Sequence, residues 1–142
     1  MNLKYSIVLV LLLISCSGKN EDTGSFSLAA LRDSLSAEIM AVHDGVMPKH
    51  LELQKLKTQI DEKISTFSND SNGLGDMSIL SDLLDSAYNS MTAWMYEYEP
   101  MADTMTKQEI LDYYSYQRDK IETVKDLMLE CFEKAQQQID QE

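Results

Sequence analysis

Apolar side chains recur along most of the chain at steps of three and four, the spacing that lines one face of an α-helix. From Leu28 they fall at positions 28, 31, 35, 39, 42, 46, 53, 56, 60, 64 and 67, with one gap of seven. The stripe predicts a long first helix, capped by Ser25 or Ser27 and ended before the turn formers Ser68-Asn69-Asp70-Ser71-Asn72-Gly73-Leu74-Gly75-Asp76. Pro48 removes a backbone donor and presses on the carbonyl of Asp44, so a kink is expected there. Because the stripe keeps its phase across the proline, a kink is favoured over a break; a break would turn three helices into four. A second stripe, Leu80, Leu84, Ala87, Met91, Met95 and Tyr98, predicts a helix capped by Asp76 and ended by Pro100. Thr106 and Glu109 form a capping-box pattern ahead of a third stripe: Ile110, Tyr114, Gln117, Ile121, Val124, Met128, Cys131, Ala135 and Ile139. Short connections make neighbouring helices antiparallel. The expected fold is therefore all-α, an up-down-up three-helix bundle with a kinked long first helix over 27–142, and with Leu56, Ile60, Leu84, Ile121 and Val124 in its core.

The first 26 residues do not share this pattern. Met1 to Lys4 carries one positive charge and precedes an unbroken apolar run, Ile7 to Ile14. Eight residues of helix span about 12 Å, against a hydrocarbon layer of about 30 Å, so the run reads as the apolar region of a signal peptide over 1–15 and not as a membrane span. It ends in Leu13-Ile14-Ser15-Cys16, which resembles the lipobox of bacterial lipoproteins. That resemblance implies that Cys16 becomes the first mature residue and carries diacylglycerol and an amide-linked acyl chain, enough lipid for a stable anchor. Residues 16–26 then form the lipidated cysteine and a polar tether. Lys19-Asn20-Glu21-Asp22 resembles a lysine-then-acidic surface-export signal, and Ser17 is not the aspartate that retains many lipoproteins at the inner membrane. The implied location is the outer membrane, on its periplasmic or its surface face.

Charge narrows the functional classes. The chain has 24 acidic against 12 basic residues. Removing 1–15 takes away Lys4 alone among the charges, leaving 11 basic residues and a net charge of −13. So acidic a protein repels phosphate backbones and anionic lipid, which excludes nucleic acid as a partner and polybasic adsorption as a means of reaching the membrane. With two cysteines, one of them Cys16, a disulfide scaffold and a multi-cysteine zinc site are also excluded.

One cluster carries candidate chemistry. Met40, His43, Met47 and His50 follow steps of three, four and three and so share a helix face. If the first two helices close symmetrically between Phe67 and Met77, Met47 and His50 lie level with Trp94 to Tyr98. His43, Met47, His50, Met91 and Met95 are then candidate metal ligands, with Met101 and Met105 in the adjoining connection. Thioether and imidazole suit copper as Cu(I), and a tryptophan face can stack on such a cation. Methionine at helical spacing also serves as core filler, and histidines beside a proline can be surface residues. The tyrosines at 88, 96, 98, 113, 114 and 116 are equally ambiguous between half-buried packing and partner docking. Nothing in the chain suggests catalysis: no glycine-rich phosphate loop, no Glu-x-x-His pair, no Ser-His-Asp set and no haem attachment motif. Cys131 lies on an apolar stripe and reads as a small buried residue.

The segment Ile39-Met40-Ala41-Val42-His43-Asp44-Gly45-Val46-Met47-Pro48-Lys49, then Leu53-Gln54-Lys55-Leu56-Lys57 and Ser90-Met91-Thr92-Ala93-Trp94-Met95, resembles small helical lipoproteins of Bacteroidetes, often labelled "viral A-type inclusion protein". Gly45 stands where that pattern has an acidic residue, and His50 where it has methionine. The resemblance covers most of the mature chain and implies a helical envelope protein without an established activity. The functional expectation is a membrane-anchored, non-enzymatic envelope protein with an interaction or structural role and a possible protein partner in the envelope. The alternative is an extracytoplasmic Cu(I)-binding protein.

Overall fold

The computed structural model describes residues 23–66, 71–100 and 104–140, with side chains from residue 28 and, in the second segment, from residue 73. It consists of α1 (Thr23–Thr66), α2 (Ser71–Glu97) and α3 (Lys107–Asp140), each packed against the other two. The all-α three-helix bundle expected from the stripes is the fold. Cys16, the signal-peptide run and Met101 lie outside the described residues.

The buried positions keep a nearly unbroken heptad. On α2 the repeating ones are Met77, Leu80, Leu84, Ala87, Met91 and Trp94, with Ser81 buried beside Leu80; on α3, Ile110, Tyr114, Gln117, Ile121, Val124, Met128, Cys131 and Ala135, with Phe132 buried beside Cys131. Both runs alternate steps of three and four, the period that seats side chains knobs-into-holes between neighbouring helices. On α1 the sealed apolar residues are Ile39, Val46, Leu53 and Ile60, spaced by sevens. The gap of seven between Val46 and Leu53 is filled by His50, itself buried at 5% exposure. Four of the five expected core residues are sealed; Leu56 is half-buried against the cluster.

Three boundary expectations need correction. α1 begins at Thr23, ahead of both serines expected to cap it. It also runs through Pro48 without ending, so the four-helix alternative is overturned. Pro48 and Asp44 are both exposed, and the carbonyl that loses its helical donor is on the wet side of the helix. Third, α2 starts at Ser71, five residues before the expected cap Asp76. Gly73 and Gly75 are poor helix formers, but Leu74 between them packs against the core, and that tertiary contact overrides their propensity. The capping box at the start of α3 is present as expected: Thr106 N–H donates to Glu109 Oε2 at 2.8 Å, and Glu109 N–H donates back to Thr106 Oγ1 at 3.3 Å.

The early start of α2 resets the register of the first two helices. Asp61 meets Ser81, His50 meets Tyr88 and Thr92, His43 meets Trp94, and Ser36 meets Tyr98. Relative to closure between Phe67 and Met77, these pairings are displaced by about two to ten residues, most at the end away from the turn. The parallel pair α1 and α3 is fixed by Lys49, whose Nζ lies 3.6 Å from the Phe132 ring centre, and by Lys63. Lys63 Nζ donates to the carbonyls of Gln138 and Ile139, both at 3.0 Å. It thus occupies acceptors in the last turn of α3 that have no helical donor, with a cation at the negative end of the helix.

Candidate functional site

The bundle has two chemically distinct ends. The hairpin end, where α1 passes into α2, has a core of Leu53, Ile60, Met77, Leu84, Met128, Cys131 and Ala135. Its one buried polar side chain, Ser81, donates to Asp61 Oδ1 at 2.5 Å. The opposite end, where α2 passes into α3, is built on aromatic and polar side chains. Here Trp94 is sealed at 1% exposure, stacked on Tyr98 with ring centres 4.9 Å apart, and Tyr98 in turn lies 6.5 Å from Tyr113. Tyr113 meets Tyr114 edge-on at 5.2 Å.

Hydrogen bonds hold the rims of this stack. The hydroxyls of Ser36 and Tyr98 are 2.8 Å apart. Tyr113 Oη donates to the Glu99 carbonyl at 2.5 Å and accepts from the Glu99 N–H at 3.0 Å, which anchors the connection after α2 to α3. Burial is the main cause that raises the phenols of Tyr98 and Tyr113 above the ordinary tyrosine range; the Ser36 bond and the Glu99 N–H oppose it in turn.

Three buried polar atoms among the described residues have no hydrogen-bond partner: His43 Nε2, Trp94 Nε1 and Gln117 Oε1. All three belong to the aromatic end. His43 packs on Trp94 with ring centres 5.6 Å apart at 33°. On its other edge, His43 Nδ1 is 2.8 Å from Asp44 Oδ1, and that carboxylate is largely in solvent. A carboxylate only accepts, so Nδ1 carries a proton, and in the neutral ring it is the buried Nε2 that holds the free lone pair.

The two histidines are therefore not equivalent. His50 Nε2 is 3.1 Å from the carbonyl of Tyr88 and donates to it, while its ring stacks on Tyr88 at 4.1 Å and 10°. It is a core residue with its Nε2 proton committed. The remaining candidate ligands are spread out: Met91 is fully buried, Met47 half-buried against the core, and Met95 exposed at 37%. Among the described residues no three His, Cys, Asp or Glu side chains form a group able to hold a metal ion. Met and His spacing marked this end of the bundle, but no sequence signal marks Ser36, Gln117 or Tyr98 as its polar partners; the last two read as ordinary stripe positions.

Cys131 is buried at the hairpin end, and burial pushes its thiol up, which makes it a poor nucleophile. Shallow grooves lie between the helices among the described residues. One of about 330 Å³ between α1 and α3 is bordered by Glu38, Leu111, Asp112 and Arg118, and one of about 270 Å³ between α2 and α3 by Ile79, Leu83 and Lys134. No described helix is long and apolar enough to cross a membrane. No family model matches the chain, and no curated protein or solved structure shows significant similarity to it.

Proposed function

We propose that this chain is a lipid-anchored helical protein of the bacterial outer membrane, acting by contact and not by catalysis. The observation that carries the reading is the Leu13-Ile14-Ser15-Cys16 block directly after an eight-residue apolar run. Thr23, where α1 starts, stands seven positions after Cys16, so the intervening chain reaches at most about 25 Å. A lipid on Cys16 therefore keeps the start of α1 within about 25 Å of the membrane, with the aromatic end nearer to that anchor along α1 than the hairpin end. The exposed Tyr96 and Tyr116 and the Glu97–Lys120 ion pair belong to the membrane-proximal part in this arrangement and offer an amphipathic surface to an envelope partner. The non-enzymatic reading draws support from the buried Ser81 hydroxyl at the hairpin end, which is spent on a structural bond to Asp61, and from a thiol that is sealed.

The test is Cys16→Ala. In cells given a radiolabelled fatty acid, the parent protein is expected to be labelled and to sediment with membranes, and the variant to lose the label and to stay soluble. A variant that remains labelled and membrane-bound would overturn the anchor.

A further inference from the structure

We propose that His43 Nε2 is the anchoring ligand of a site for a soft monovalent cation, Cu(I) or Ag(I), enclosed between α1 and α2 with the Trp94 indole as its wall. Buried polar atoms are nearly always partnered, so a buried imidazole nitrogen with a bare lone pair and no partner calls for an explanation. The geometry around it is that of a ligand. The Asp44 carboxylate holds the Nδ1 proton at 2.8 Å, the arrangement by which a metal-binding histidine is oriented and its other nitrogen made more basic. Nε2 is buried, and the imidazole ring packs against Trp94.

The donors at hand select the class of ion. Met47 follows His43 by four residues and Met40 precedes it by three, so both flank it on one face of α1, and both pack against the core. Met91 stands one turn before Trp94 on α2 and is sealed. Hard or borderline dications need several carboxylate, imidazole or thiolate ligands, and no such trio exists among the described residues. One imidazole with thioethers beside an aromatic face is a donor set for a soft monovalent ion. The site is narrower than residue spacing alone suggests, because His50 is stacked on Tyr88 with no orphaned buried ring nitrogen, and Met95 lies at the exposed rim. The inference is independent of the lipid anchor, since none of its residues lies before α1.

Trp94 is the chain's single tryptophan, so the protein carries its own reporter. The full-length protein in detergent, kept anaerobic, is titrated with Ag(I) and with Cu(I) while indole emission is followed. The expected result is saturable quenching at one equivalent. It is lost in His43→Gln and weakened in Met47→Leu, whereas Met95→Leu binds like the parent. Asp44 is a positioning residue, and Asp44→Asn is expected to weaken binding by roughly tenfold without loss of helicity. Absence of saturable quenching in the parent overturns the proposal, and so does a His43→Gln protein that titrates like the parent. Should His43→Gln fail to fold, the histidine ring ¹⁵N spectrum of the parent decides. Ag(I) is expected to move the Nε2 resonance of His43 and leave that of His50 in place; an unmoved His43 resonance overturns the site.

Discussion

The two ends of this bundle share one heptad and one set of helices, yet they satisfy their interiors differently. At the hairpin end the core is aliphatic and sulfur-containing apart from Phe132, and the single buried hydroxyl has its acceptor. At the aromatic end, tyrosines, a tryptophan, a histidine and a glutamine share the interior, and the three orphaned atoms of the described residues are all found there. An orphaned buried group costs about 1–3 kcal/mol. The comparison teaches that stability and chemistry have been sorted along the long axis: one end holds the fold together, and the other keeps polar valences open at some expense to the fold.

The largest effect that would sharpen this contrast is at the hairpin end. Ile60 is fully buried, and Ile60→Ala should cost about 2–5 kcal/mol in urea unfolding of the soluble domain. A loss well under 1 kcal/mol would mean that this end does not carry the stability assigned to it. At the aromatic end the same kind of measurement should run the other way. Gln117→Met gives up a contact with the Tyr113 hydroxyl but removes an unpaired carbonyl at a position only 4% exposed. Stability is expected to be unchanged or to rise by up to about 1 kcal/mol. A clear loss would show that the glutamine is satisfied in solution and would erase the difference between the ends.

The smallest effect is one of pH. Burial raises the Tyr98 phenol, so its folded pKa stands above its unfolded value of about 10. The stabilisation tied to the neutral phenol is complete below that unfolded value and is lost as pH rises through the higher folded one. Tyr98→Phe removes the Ser36 bond and should cost about 1 kcal/mol at pH 7. The gap between variant and parent should close as the pH passes 10, because only the parent has this phenol to ionise. Cys131 is also raised by burial, but it is present in both proteins and cancels in the difference. A gap that stays constant to pH 11 would break this part of the comparison.

How far the sequence discloses this arrangement differs between the same two ends. The third stripe is legible almost residue by residue, because eight of its nine buried positions alternate by three and four from Ile110 to Ala135, Phe132 being the one addition. α1 is harder to read, since its core slot at position 50 is filled by a histidine, which a hydropathy pattern registers as a gap. The level of the site was missed for a related reason: Gly73 and Gly75 resemble a turn, and the packing of Leu74 that makes them helical is a tertiary fact. A hairpin that closes early slides Trp94 onto His43 and hands His50 to Tyr88. Residue types marked the right end of the molecule, while the pairing depended on a boundary that local propensity misplaces.

The Lys63 clamp also sets an order of events. Its two acceptors lie 75 and 76 residues further along the chain, at the far end of α3, so the contact requires closing a loop that contains α2 and nearly all of α3. Contacts of such sequence separation form late, after the neighbouring pair α1 and α2 has found its register through local closure. Until then the carbonyls at the end of α3 depend on water, and the α1 and α2 faces destined for α3 are bare. Completion of this domain therefore waits on the arrival of one helical turn, and a lysine from the first helix is what receives it.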